Sequence, residues 1–278
     1  MGAPFERFSH EAMATSFDLF IAGHPAVYAR QAATAAFLEL DRLETELSRY
    51  IESSDIGRAN QLSRNGVMMI GDDALQCLLI AAEVSAATGG AFDPAYASTR
   101  GPEDAPSDPL YGLDPAQHQL MSFVERLHLD LGAVGKGYAL DRMAELLRDW
   151  EITAACLQSG GSTVLALDPP PGALGWKVGL GEGPGYRTVT LSQRALSGSG
   201  LAVKGAHLID PRTNQPATRV QRAWAFAKSA TVADALSTAF FVMPDEDVAH
   251  YCERHPDVGA VLALPDGAVR SLGNVSLH

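Results

Sequence analysis

Cysteine is scarce in this chain of 278 residues: there are three, Cys77, Cys156 and Cys252, odd in number and far apart. That excludes a disulfide framework and any paired zinc-ligand spacing, and points to reduced thiols. Long apolar runs are missing too. No stretch approaches the roughly 20 consecutive apolar residues of a membrane span, and the first residues carry no apolar export segment. As given, the chain is expected to be soluble and cytoplasmic, a periplasmic location being open if an export segment has been trimmed. Positive charge is in deficit, with 21 Lys and Arg against 33 Asp and Glu for a formal net charge of -12. This balance argues against nucleic acid as a partner, because its phosphates would be repelled. A phosphate-bearing ligand would need local help from a cation, a metal or backbone N–H groups. Low-complexity tracts, short-period repeats and the serine-hydrolase elbow G-x-S-x-G are absent as well.

What remains is an ordinary globular composition, 46% apolar and 19% charged, in a chain long enough for one large domain or two intimate lobes. "MATSFDLFIAG" alternates and is expected to be a first strand after a short lead-in. Helical spacing of Val27, Ala35, Leu38, Leu43 and Leu47 predicts a helix over about 26–50. A second helix follows in "GDDALQCLLIAAEVSAATGG", capped by Asp72 or Asp73 and ended by Gly89-Gly90. Residues 100–115, rich in Gly, Pro and Asp, read as a loop or insertion. Further helices are expected over about 136–150 and 231–243, with strands in "ITAACLQ", "WKVGLG", "TVTLS", "AHLID" and "AWAFAK". "GAVLALPDGAVRSLG" reads as a closing hairpin turning at Pro-Asp-Gly. Helices and strands mix without regular β-α-β alternation, so the expected class is α+β.

Four polar stretches stand out. "LDLGAVGKGYALD" has the look of a phosphate loop but fits neither standard pattern. A P-loop would need Gly at Asp130 and Ser or Thr at Gly137, and Gly132, Gly135 and Gly137 are spaced in the reverse sense of G-x-G-x-x-G. Its glycines would still let backbone approach a ligand, and Lys136 offers a compact cation; the plainer alternative is a strand-to-helix turn with a surface lysine. In "TVADALSTAFF", Asp234 and Thr238 lie four apart on one helix face, a carboxylate and a hydroxyl suited to a hard cation such as Mg2+. An Asp that merely complements the helix dipole is the alternative there. In "AHLIDPRTNQP", His207 is one of eight histidines, and a lone histidine is more often structural than catalytic, so it needs support from elsewhere. In "LQSGGSTV", Ser162 and Thr163 could offer hydroxyls or N–H groups to an anion, or simply form a turn.

Taken in order, "MATSF", "LSRYIESSDIGRANQ", "TGGAFDP", "LDLGAVGKGYALD", "LQSGGS", "HLIDPRTNQP" and "ADALSTAFF" resemble the successive motifs of the ApbE family, the FAD:protein FMN transferases. The resemblance runs from Met13 to the hairpin near Gly273. It implies a single domain over 1–278 with two intimate lobes, largely antiparallel sheets flanked by helices, and an FAD cleft between the lobes. It also implies Mg2+ held by Asp234, Thr238 and the backbone carbonyl of Ala133. Contacts to FAD are implied for Met13, Tyr50, the Ala91-Phe92-Asp93 turn, Asp130, Lys136, His207 and Leu208. The implied reaction transfers FMN from FAD to a Thr or Ser of an acceptor protein with release of AMP, His207 serving as base and Asp234 as the catalytic metal ligand. FAD hydrolysis to FMN and AMP, or FAD binding without catalysis, are the alternatives. Two departures accompany the resemblance. Ser162 stands where relatives often have an acidic residue, and the acceptor pattern D-x-x-[ST]-[GS]-A-[ST] does not occur, so self-flavinylation is not expected.

Overall fold

The computed structural model describes residues 5–105, 107–181, 186–200 and 208–277. Period-two alternation builds its main sheet. In β2 (Thr15–Ala22), Phe17, Leu19 and Ile21 are fully buried beneath the helices, while Asp18 and Phe20 face the other way. The first strand, however, is β1 (Phe5–Ala12), the stretch expected to be a lead-in. It pairs with β2 through a two-residue turn at Met13-Ala14, both with positive φ (50° and 57°). Its one-sided exposure as an edge strand blurs the alternation that would have revealed it.

Six helices and fifteen strands are present among the described residues. Strands β6 (Ala155–Ser159), β7 (Thr163–Ala166), β10 (Arg194–Gly200), β13 (Arg222–Ala227), β14 (Gly259–Ala263) and β15 (Val269–Gly273) continue from β2. The result is an eight-stranded sheet in the order β1-β2-β6-β7-β10-β13-β14-β15, antiparallel throughout. The expected closing hairpin is β14–β15, turning at Gly267 with φ 85°. A small sheet combines β3 (Val67–Met69), β5 (Gln119–Ser122) and β4 (Tyr111–Asp114), and two hairpins pair β8 (Trp176–Leu180) with β9 (Arg187–Leu191) and β11 (Ile209–Asp210) with β12 (Gln215–Pro216). Thus β4 occupies part of the expected 100–115 loop: Leu113 and Tyr111 pack partly buried on the core where local composition alone suggested a turn-rich segment.

Helices α1 (Ala26–Leu47), α3 (Asp72–Ala87), α4 (Gly135–Asp149) and α5 (Ala230–Val242) enclose the large core on one face of the sheet. The opposite face carries a second cluster, in which Trp176, Leu180, Val189 and Leu191 of the β8–β9 hairpin cover Cys156, Val164, Leu196 and Phe226. Helix α5 is apolar almost all round, as a helix buried on every side must be, and Ser229 caps it by accepting from the Val232 N–H at 3.2 Å. The buried stripe of α1 is alanine-rich (Ala29, Ala32, Ala33, Ala36) before Leu40, Leu43 and Leu47. Val27 and Leu38, expected on that stripe, are exposed, because small alanines rather than the larger apolar residues meet the neighbouring helix and strands. The cap of α3 also differs from expectation: Gly71 is the N-cap with no side-chain bond, and Asp73 instead accepts hydrogen bonds from Tyr138 (2.7 Å) and Arg42 (2.6 Å). Two short helices escaped the sequence reading, α2 (Asp55–Ala59) and α6 (Asp245–Arg254). Among the described residues no helix is long and apolar enough to cross a membrane.

Candidate functional site

The site grows from the starts of two helices packed side by side. Gly137 lies in the first turn of α4, and a Cβ there would fall 2.2 Å from the carbonyl oxygen of Ala230, the first residue of α5. Only glycine permits this approach. Each helix then supplies a carboxylate to the other's N-terminus, where orphan N–H groups and the helix dipole favour negative charge. From α4, Asp141 accepts hydrogen bonds from the N–H groups of Ala230 and Thr231, both at 2.9 Å, and from the hydroxyls of Ser229 (2.7 Å) and Thr231. From α5, Asp234 accepts the N–H of Gly137 at 3.1 Å.

Asp234 is only 4% exposed, yet its Oδ2 lies 3.8 Å from the Lys136 ammonium. Oδ1 faces the sheet, where it accepts from Ser197 Oγ at 3.0 Å and lies 3.4 Å from Thr163 Oγ1. One turn along α5, Thr238 Oγ1 is 3.2 Å from Ser199 Oγ. Lys136 also donates to the carbonyl of Gly132, within the 130–134 turn that holds half-buried Ala133. Asp130 closes that turn by accepting the Gly132 N–H at 2.9 Å, and its own N–H donates to the carbonyl of Pro94 at 2.8 Å. The "GAFDP" turn is thereby fastened to the glycine-rich stretch.

A cavity of about 240 Å³ opens on this turn, lined by Met13, Ser48, Arg49, Tyr50, Asp130 and Lys136 among others. This volume lies below the roughly 300–1,000 Å³ of typical ligand pockets, so it would hold part of a dinucleotide rather than all of it. Of the residues expected to contact a ligand, Met13, Tyr50, Asp130 and Lys136 thus line one cavity, with Asp234 beside it and Thr238 on the next turn. Ala91 and Phe92 have their side chains in the core, leaving backbone for any contact. Burial pushes the Asp93 carboxyl above its ordinary value, against the pull of the Ala95 N–H (2.8 Å) and the Arg100 charge. Leu208 packs partly buried on the core and its carbonyl accepts from the Ala217 N–H. His207 lies outside the described residues. Thr163, one candidate for anion contact, is fully buried and serves Asp234 instead.

Sequence reasoning missed Arg49, whose guanidinium lies 3.3 Å from Asp130 Oδ2, donates to the Tyr50 hydroxyl at 2.6 Å and stacks 4.4 Å from the Tyr50 ring centroid. Its place immediately before Tyr50 was the available clue. It missed Asp141 and Ser197 as well, whose partners are remote in sequence. Asp234 and Thr238, one turn apart on α5, offer a carboxylate and a hydroxyl, oxygen donors of the kind a hard cation takes. Among the described residues no three His, Cys, Asp or Glu side chains converge.

Fold and site define an α+β protein in which a cavity lined by Lys136 and Arg49 abuts a buried carboxylate at paired helix starts. The model of the ApbE family matches residues 13–262, and the chain belongs to that family. An FAD:protein FMN transferase of Treponema pallidum (strain Nichols) is 28% identical, the match covering 90% of this chain and 82% of the relative. The flavin transferase ApbE of Vibrio cholerae has the same fold, with a TM-score of 0.83 over 98% of each chain at 19% identity. The ApbE protein of Thermotoga maritima aligns with a TM-score of 0.79 over 97% of each chain at 25% identity.

Proposed function

We propose that this protein is an FAD:protein FMN transferase, moving FMN from FAD to a Ser or Thr hydroxyl of an acceptor protein and releasing AMP. The relatives' names support the activity. The observation that carries the site assignment is the pairing of Asp234 and Lys136 beside the cavity lined by Met13, Tyr50 and Asp130. A buried carboxylate next to a pyrophosphate would repel it; Arg49 is already paired with Asp130, and Lys136 cannot offset both charges, so the arrangement calls for a divalent cation. Asp234 also serves the start of α4 through the Gly137 N–H, but a protein that only bound FAD would lose affinity by keeping a carboxylate beside the pyrophosphate, which favours the enzyme over the passive binder.

In this reading Asp234, Thr238 and the Ala133 carbonyl would hold Mg2+. When bound, the ion neutralises charge that builds on the phosphates as the bond to AMP breaks. Lys136 contacts a phosphate oxygen, and its tie to the Gly132 carbonyl keeps its ammonium at the mouth of the turn. Tyr50 and Met13 form the apolar wall, and Arg49 fixes the Tyr50 ring by stacking and hydrogen bonding. The Ala91-Phe92-Asp93 turn and Leu208 contact the ligand from the neighbouring segments, and the cleft between two lobes receives the nucleotide. His207 takes the proton from the attacking hydroxyl. The oxygen–phosphorus bond to FMN then forms as that to AMP breaks.

The test is incubation with FAD, Mg2+ and Ser/Thr-containing acceptor peptides, following AMP and peptide mass together. Transfer gives AMP and a peptide heavier by FMN in equal amounts. AMP without peptide modification would make the protein a hydrolase, and FAD binding without AMP would make it a passive binder.

A further inference from the structure

Two serines on one strand match the spacing of the two side chains proposed to hold the cation. Strand β10 presents Ala195, Ser197 and Ser199 at alternating positions toward α5. Ala195 and Leu165, a cross-strand pair on this face, belong to the large apolar core, so hydroxyls one step along at Ser197 and Thr163 break an otherwise apolar surface. Both are fully buried. A buried hydroxyl is costly unless it is hydrogen-bonded; with one proton each, Ser197 donates to Asp234 Oδ1 at 3.0 Å and Thr163, 3.4 Å from that oxygen, donates to Ser197 Oγ at 3.0 Å. Two residues on, Ser199 reaches Ser237 at 2.9 Å and Thr238 at 3.2 Å. Two strand residues advance about 6.6 Å and four helix residues about 6 Å, so a serine at every second strand position can address a ligand at every fourth helix position.

We propose that Ser197 and Ser199 are positioning residues for the metal pair of α5, an inference that rests on the reading of Asp234 and Thr238 as ligands. Ser197, helped by Thr163, occupies Oδ1 of Asp234 and so fixes the carboxylate plane, leaving Oδ2 toward Gly137, Lys136 and the cavity. Ser199 restrains the Thr238 hydroxyl in the same way. Neither serine touches the reacting atoms; both act by holding ligands in one rotamer, as hydrogen-bonded partners of metal ligands generally do.

The experiment titrates Mn2+ into the FAD-saturated protein without acceptor and follows the free-ion signal by electron paramagnetic resonance. Melting temperature and FAD affinity in EDTA are measured alongside. Ser197→Ala is expected to weaken Mn2+ binding by roughly 10–100-fold and to raise the Mg2+ concentration for half-maximal turnover equally, with FAD affinity in EDTA unchanged. Ser199→Ala should weaken Mn2+ binding by a smaller factor, and Ser199→Thr, which keeps the hydroxyl, should restore it. If Ser197→Ala fails to fold, the near-isosteric Thr163→Val takes its place and should weaken Mn2+ binding in the same direction. Wild-type Mn2+ affinity in a folded Ser197→Ala or Thr163→Val, with Asp234→Asn abolishing binding, overturns the positioning role alone. Undiminished binding in Asp234→Asn, or none in the wild type, overturns the metal reading and the proposal with it.

Discussion

Gly137→Ala is the perturbation whose cost follows most directly from the geometry. The added methyl would sit 2.2 Å from the Ala230 oxygen, 2.6 Å from its carbonyl carbon and 2.8 Å from the Thr231 nitrogen. All three are backbone atoms at the start of α5, which cannot swing aside as a side chain would. The helices must separate, and overpacking of this kind costs about 1–3 kcal/mol. Separation also strips Asp234 of the Gly137 N–H, and a hydrogen bond to a charged group contributes about 1.5–3 kcal/mol. The better helix propensity of alanine returns at most about 1 kcal/mol. The net destabilisation is about 2–5 kcal/mol, or a melting temperature lower by roughly 4–20 °C at about 2–4 °C per kcal/mol for a chain near this size. Far-UV circular dichroism on heating measures it. Gly161→Ala is the control, since a Cβ there meets nothing within 4 Å and should shift stability by no more than about 0.5 kcal/mol. Equal melting temperatures for Gly137→Ala and wild type would refute the close approach of α4 and α5 and the site built on it.

Three further outcomes follow from the same contacts. Asp141→Ala removes the acceptor for two N–H groups and two hydroxyls at the start of α5, and should cost about 2–4 kcal/mol in urea unfolding. Lys136→Met should weaken FAD binding by about 1–3 kcal/mol in a fluorescence titration, with little change in melting temperature; unchanged affinity would return the lysine to a surface role. Burial alone would raise the Asp73 carboxyl, but hydrogen bonds from Arg42 and Tyr138 together with the Arg42 and Arg142 charges hold it below its ordinary value. A depressed carboxylate contributes stability above its unfolded pKa of about 3.9 and loses it as pH falls through the folded value, so Asp73→Asn should flatten the acid limb of the stability–pH curve.

Residues whose partners are implied by type or by local pattern were legible in the sequence. Helices α4 and α5 appeared within a residue or two of their observed ends, and the unusual apolarity of α5 around Asp234 and Thr238 already suggested a polar pair under constraint. The ordered motifs brought Met13, Tyr50, Asp130 and Lys136 into one expected site, and the structure lines one cavity with them. What could not be read depends on juxtaposition across the sheet. Nothing local distinguishes Ser197 from a solvent-facing strand serine until β10 lies beneath α5. Asp141 likewise looks like an exposed helical acid until the start of α5 lies against it. Strand β1 was hidden because an edge strand keeps few buried positions, and Asp73 passed for a helix cap because its true partners, Arg42 and Tyr138, sit on other helices.

Under the proposed function, FAD is cleaved at the Asp234–Lys136 corner and its FMN moiety is passed to a protein hydroxyl. That proposal is tested most directly by quantifying AMP and peptide-bound FMN in one reaction, for wild type and Asp234→Asn, with Mg2+ or with EDTA. The account predicts equal yields of both products from wild type with Mg2+, and neither above background in EDTA or from a folded Asp234→Asn that still binds FAD. Yields from Asp234→Asn within a few-fold of wild type would contradict it.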